Sequence, residues 1–406
     1  MKRQIHQHLS IHYALYQSLY WMSACFVYSY TRVFLQKLGF SVTAAGTELA
    51  LSSVFSVLLQ PVLASALGRW KKLSLRAVIA AGLGLALFSG GLLLTPAPMG
   101  ALAALFLIMS TMTLTVQPFI NSVGFGYINE GKKLNYSASR GAASLAYAAL
   151  SKCISFLAER ETGTAMLVCY LLMTAGTLLV SLYLAQGAGQ ETAQEAGEDK
   201  GVSTLGFFKK YPYFSWMLLG QLLIFFQHNC INGYMWDIVQ RAGGTAGDMG
   251  TALLIGALAE VPALMLFTRM EKKCPCHGLL RLAAGLYVLK PLLILLSPSL
   301  PMLYLSQGMQ AVTYALIVPG MAYYSNALTA PEDRIRGQAL ITGSIAAAGF
   351  FGYLLSGVLV EGMGIETALW AATGVGAAGS LLLGLFSKPL KKRTDAPGGE
   401  SLNFSK

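Results

Sequence analysis

Three ionisable side chains stand inside otherwise apolar stretches of this 406-residue chain, and their types suit proton chemistry. Glu260 lies in Leu254-Ile255-Gly256-Ala257-Leu258-Ala259-Glu260-Val261-Pro262 and reads as the deepest acid of the sequence. Lys290 lies in Tyr287-Val288-Leu289-Lys290-Pro291, and His228 is flanked by Gln227 and Asn229. A charge in hydrocarbon is costly, so such groups face a cavity or a partner and commonly mark transport or proton pathways. A carboxyl beside a cation can bind and release protons. The same pair can instead be a static ion pair that fixes helix packing. An imidazole titrates near neutral pH, so His228 can pass protons, donate to a solute hydroxyl, or simply satisfy a neighbouring helix.

Amides and hydroxyls surround these groups along the sequence. Gln221, His228 and Asn232 are seven and four residues apart, which puts them on one helical face that should line water or solute. Asp237 falls near the end of the same stretch. Gln307, Gln310 and Tyr314 repeat the pattern, and Gln117-Pro118 with Asn121 offers another polar site. There the proline frees a backbone carbonyl that must be satisfied inside the protein. Tyr13, Tyr16, Gln17 and Tyr20 form a stripe that serves either packing or solute hydroxyls. Arg140 opens a later stretch and can contact solute or snorkel to lipid phosphate. Cys274-Pro275-Cys276-His277 has no second ligand pair at zinc spacing, and no nucleotide-binding loop or nucleophile elbow is present. The chain therefore reads as a non-enzyme with no resident cofactor or metal. Any transport would be driven by a gradient.

The elements that hold these residues follow from composition. The chain is 55% hydrophobic and only 12% charged, with a mean hydropathy of +0.56. Soluble domains carry about 25% charged residues, so soluble-enzyme, nucleic-acid-binding and disordered classes are excluded. Spanning hydrocarbon takes about 20 apolar residues. Twelve such segments fall near 11–36, 43–67, 76–95, 99–123, 139–158, 163–185, 212–239, 247–269, 279–297, 300–325, 338–360 and 366–387. The fold expected is an all-α membrane protein of twelve transmembrane helices in two six-helix bundles, 1–185 and 212–387. A cytoplasmic linker, 186–211, joins them and a tail, 388–406, follows. Of the 29 Lys and Arg, only Arg32, Lys37, Arg160 and Arg241 fall on one side, with Lys152 and Lys290 inside spans; the rest lie in the tails and alternate loops. The positive-inside rule then places both termini in the cytoplasm of a multi-pass protein of the cell membrane.

The basic loop Leu67-Gly68-Arg69-Trp70-Lys71-Lys72 is echoed by Thr268-Arg269-Met270-Glu271-Lys272-Lys273 one half later. The echo fits a paired-repeat fold. Phe34-Leu35, Thr43-Ala44-Ala45-Gly46, Leu58-Leu59-Gln60-Pro61 and Asn135-Tyr136-Ser137-Ala138-Ser139-Arg140-Gly141 resemble the major facilitator superfamily, although Gly68-Arg69-Trp70 lacks the aspartate of that family's loop motif. The branch they resemble is that of the lactose permease and the nucleoside–proton symporters. The resemblance covers essentially the whole chain and implies that fold. It carries a substrate-contact role to Arg140, a coupling cation to Lys290 and a functional carboxylate to Glu260. Ser122, Gln310 and Thr313 stand where the permease has acids and a histidine, which argues against lactose itself.

The expected function is proton-coupled uptake of a small polar solute, such as a sugar, oligosaccharide or nucleoside, by alternating access. Glu260, Lys290 and His228 would couple the proton. Arg140, Gln117, Asn121, Tyr20, Gln221, Asn232, Gln307 and Gln310 would contact solute. The partners expected are the solute and the bilayer, with no nucleic acid, and the protein is expected to work as a monomer. The alternatives are proton-driven efflux of amphipathic compounds and a non-transporting sensor on the same fold.

Overall fold

The computed structural model describes residues 9–70, 73–159, 163–184, 204–330, 333–393 and 401–404. The basic start Met1-Lys2-Arg3, Lys71-Lys72 of the first basic loop and the polar break from Glu191 to Lys200 lie outside the described residues. All twelve apolar segments are helical, as hydrocarbon demands of a chain that must satisfy its own backbone groups. Among the described residues, eight helices are individually long and apolar enough to cross a membrane. One of them, Arg336–Phe386, is 51 residues long and joins two helices across a kink at Gly364. Side chains cap several starts: Ser41 accepts from the amide of Ala44, Ser74 from Ala77 and Asn135 from Ala138.

Span 4, which is one of these eight, and the three remaining spans 1, 7 and 10 are helical but interrupted, where apolar periodicity alone predicts straight helices. Span 1 runs Leu9–Cys25, passes through a π-helical turn at Phe26–Tyr30 and resumes at Thr31–Lys37. Span 4 breaks at Val116, between Met99–Thr115 and Gln117–Asn129. Span 7 breaks at Tyr234, between Pro212–Gly233 and Met235–Arg241. Span 10 is Leu300–Gly308, a tight 3-10 turn at Met309–Val312, then Tyr314–Leu328. These are the spans that carry most of the buried amides and tyrosines, and interruptions of this kind often mark functional positions. Spans 11 and 12, Arg334–Phe386, are divided at Gly364, whose φ of 84° and ψ of 165° only glycine adopts readily.

The chain divides into two compact units, Met1–Asp199 with Gly244–Ala257, and Lys200–Gly243 with Leu258–Lys406. Span 2 (Val42–Arg69), span 5 (Tyr136–Ala158) and span 6 (Thr164–Leu184) belong to the first. Its core gathers Tyr13, Tyr16, Tyr20, Leu83, Ile120 and Val123. Buried tyrosines there find acceptors: Tyr30 donates to the Ser151 carbonyl and Tyr127 to the Leu184 carbonyl, each at 2.6 Å. The core of the second unit gathers Met217, Ile224, Leu280, Tyr287, Leu316 and Met321. Spans 7 and 12 approach backbone to backbone, since a Cβ on Gly379 would lie 2.6 Å from the Gly220 carbonyl oxygen. Arg241 closes the end of span 9 (Cys276–Leu296) by donating to the Ile294 carbonyl at 3.0 Å, and it pairs with Glu366 at 3.0 Å. In the tail, Leu390–Arg393 and Ser401–Phe404 pair as an antiparallel ribbon.

Candidate functional site

In the second unit, polar groups converge around Lys290. The residue is fully buried and its ammonium donates to the side-chain carbonyl of Gln310. Span 10 also binds its backbone, for Ser306 Oγ donates to the Lys290 carbonyl at 2.9 Å. Glu260, half-buried on span 8 (Ala246–Lys273), lies within electrostatic reach of Lys290 and Tyr287. His228 lies within reach of Lys290 as well. Its ring stacks on Tyr314 with centroids 4.9 Å apart and planes 16° from parallel. One ring nitrogen meets the Asn232 amide at 2.8 Å and the other meets the Tyr287 hydroxyl at 3.3 Å. Glu260, Lys290, His228, Asn232 and Gln310, scattered along spans 7 to 10, thus come together. Gln307 lies on the same span as Gln310, 2% exposed, and its Nε2 is buried without a partner among the described residues.

The shared face of span 7 divides in two. His228 and Asn232 are half-buried, whereas Gln221 is 1% exposed and donates to the Ile341 carbonyl at 3.4 Å. Two turns along the helix, span 11 covers the same face. Gln227 turns the other way, and its Nε2 donates to the Tyr287 carbonyl at 2.7 Å.

In the first unit, the Arg140 guanidinium carbon lies over the indole of Trp21, 4.0 Å from the ring centroid, and Arg140 donates to Ser144 Oγ at 2.9 Å. Trp21 runs nearly parallel to Tyr28, with centroids 6.3 Å apart, and its Nε1 is buried without a partner among the described residues. Gln17 bridges the Tyr13 hydroxyl, at 2.6 Å, and the Asn121 side-chain oxygen, at 2.9 Å. Gln117 is half-buried, and its amide meets no hydrogen-bond partner among the described residues. Tyr20 is placed differently from the expectation of a solute contact. It is fully buried and its hydroxyl donates to the Thr113 carbonyl at 3.1 Å. Beside it Gln60 donates to the Leu114 carbonyl at 3.3 Å. Leu114 is the residue four before Pro118, so this is the freed carbonyl the proline requires to be satisfied. Lys152, inside span 5, donates to the Gly247 carbonyl at 2.7 Å and to Thr251 Oγ1 at 2.6 Å, within the same unit.

Sequence reasoning passed over Trp21, Tyr287 and Glu48. Trp21 follows Gln17 by one turn, so the polar stripe of span 1 pointed to it. Tyr287 precedes Lys290 by three residues and shares its face. Glu48 is the lone acid of span 2; its exposure is 8%, whereas Glu260, expected to be the deepest acid, is half-buried. Position along an apolar run does not report which neighbours close over a side chain.

Residues 217–405 match the family model described as Major Facilitator Superfamily. Maltose permease of Geobacillus stearothermophilus is 25% identical over 264 residues, 63% of this chain and 64% of that permease. The match therefore spans less than two thirds of the permease. Among solved structures, the nucleoside transporter NupG superposes with a TM-score of 0.71 at 12% identity, covering 93% of this chain and 98% of that one. A mutant of it gives 0.75 at 12% identity, with 92% and 97% covered. The human organic anion transporter MFSD10 gives 0.61 at 15% identity, with 93% and 99% covered. At these identities the superpositions speak to the fold.

Proposed function

We propose that this chain is a transporter of the major facilitator superfamily that couples uptake of a small polar solute to the proton gradient. The solute class is a sugar, an oligosaccharide or a nucleoside, moved by alternating access. The observation that carries this reading is the convergence of Glu260, Lys290 and His228 within the second unit, since ionisable groups at membrane depth mark ion and solute pathways. Glu260 takes a proton with the solute and gives it up toward the cytoplasm. Lys290 tunes that exchange and His228 relays or donates. Arg140, Gln117, Asn121, Asn232, Gln307 and Gln310 offer amides and a guanidinium, a donor set suited to hydroxyls and ring heteroatoms. Tyr20 and Gln221 hold backbone carbonyls in this conformation and contact solute only if the conformation changes. No bound cofactor is needed. Both termini face the cytoplasm by the positive-inside rule, the membrane is the cell membrane, and the monomer is the working unit.

Uptake of radiolabelled maltose and uridine into proteoliposomes, with and without an imposed acid-outside gradient, tests the reading. Accumulation should require the gradient and fall at least about tenfold in Glu260→Gln, the effect of about 1.4 kcal/mol. Uptake indifferent to both would defeat the coupling. Absence of uptake for a panel of sugars and nucleosides would defeat the solute class.

A further inference from the structure

Span 2 carries a single acid, Glu48, which the mechanism above does not use. It is 8% exposed, and its Oε2 is buried with no hydrogen-bond partner among the described residues. The hydroxyl one turn on does not serve it. Ser52 Oγ donates to the Glu48 backbone carbonyl at 2.7 Å and lies 2.6 Å from Ser110 Oγ. Among the described residues Glu48 makes no ion pair.

The helices packed most closely on span 2 are Met99–Thr115 and Thr31–Lys37. The first has no Asp, Glu, Lys, Arg or His. The second carries Arg32 and Lys37, and Arg32 Nη1 donates to Gln36 Oε1 at 3.0 Å. The one cation on span 2 itself, Arg69, is 21 residues away, about 31 Å along the helix.

An ionised carboxylate in such a place lacks both solvent and counter-charge, whereas a neutral carboxyl is far cheaper to bury. Gln221 and Gln227 also leave a buried oxygen without a partner among the described residues, but an amide stays neutral, whereas on Glu48 the same lack weighs directly on the ionised form. We propose that Glu48 is a second proton-binding site of this chain, a carboxyl on span 2 that takes up and releases a proton independently of Glu260. This goes beyond the transport reading and does not depend on which solute is carried.

The test is infrared difference spectroscopy of the full-length protein in lipid nanodiscs, stepped from acid to alkaline pH with no solute present. Wild type should show the carbonyl stretch of a protonated carboxylic acid that disappears on alkalinisation. The band should be lost in Glu48→Gln and kept in Glu260→Gln. Glu48→Asp should move the band rather than delete it, which keeps the test open if the glutamine variant fails to fold. Identical spectra for wild type, Glu48→Gln and Glu48→Asp across the range would overturn the proposal, because Glu48 would then be ionised throughout. A Glu48 band that persists at alkaline pH would overturn it too, as the mark of a permanently neutral structural acid. Neither outcome bears on maltose or uridine uptake, so failure here is distinct from failure of the transport reading.

Discussion

The side-chain amide of Gln227 donates to the main-chain carbonyl of Tyr287 at 2.7 Å, four residues before Pro291. Proline has no N–H to return to that carbonyl, so a neighbouring helix supplies one. Gln60 does the same for Leu114, four residues before Pro118. Gln60 and Gln227 are therefore partners of proline-freed carbonyls, which sets them apart from the glutamines named as solute ligands.

Gln227→Leu should leave the Tyr287 carbonyl buried and unsatisfied, at a cost of about 1–3 kcal/mol. A lower thermal midpoint in detergent would report it. Pro291→Ala restores a helical donor to that carbonyl, so Gln227→Leu should cost clearly less in the Pro291→Ala background. Equal losses in both backgrounds would refute the pairing.

Gly376 keeps Gln227 in place, since a Cβ there would lie 2.6 Å from Gln227 Cδ. Gly376→Ala should lower the midpoint through crowding of about 1–3 kcal/mol, and less than additively with Gln227→Leu. Gly384→Ala, where a Cβ meets nothing within 4 Å, should change stability by no more than about 0.5 kcal/mol.

Arg140, over the Trp21 ring, offers a planar fork that lysine cannot reproduce. Arg140→Lys should raise the KM for uptake about tenfold, the equivalent of about 1.4 kcal/mol, although the charge is kept. Trp21→Phe should be milder than Trp21→Leu because it keeps an aromatic face. Equal KM values for wild type and Arg140→Lys would remove Arg140 from the solute site.

Outside the spans, Asp333 accepts from Lys210 Nζ at 2.6 Å and from the Tyr211 hydroxyl at 2.8 Å. The ammonium, more than the hydroxyl, holds the Asp333 carboxyl below its usual range and raises Lys210 in turn. A depressed carboxyl stabilises the fold above its unfolded value, about 3.9, and the contribution is lost as pH falls through the lower folded value. Melting wild type beside Asp333→Asn should show a gap at neutral pH that closes below about pH 4. Because Lys210 is 41% exposed, salt should narrow the gap as well. A gap that is constant with pH would point to packing instead.

The twelve helices were legible in the sequence because lipid leaves a chain few choices. About 20 apolar residues without charge must become a helix that bonds its own backbone. The rare charges, Glu260, Lys290 and Arg140, were legible as exceptions for the same reason, and so was the carbonyl that Pro118 sets free. Hydropathy counts residues and does not see whether the helical ladder is continuous. The breaks at Tyr234 and Thr313 and the π turn at Phe26–Tyr30 thus came only from the folded chain. Nor does spacing say which helix covers a face. Gln221 and His228 share one stripe, yet one meets a backbone carbonyl and the other an aromatic ring and an amide. The sequence by itself determined that the chain crosses a membrane and which few side chains resist doing so. Only tertiary packing decided which of those have a partner, and it brought out Glu48, which sequence reasoning had passed over, with an Oε2 that has no partner among the described residues.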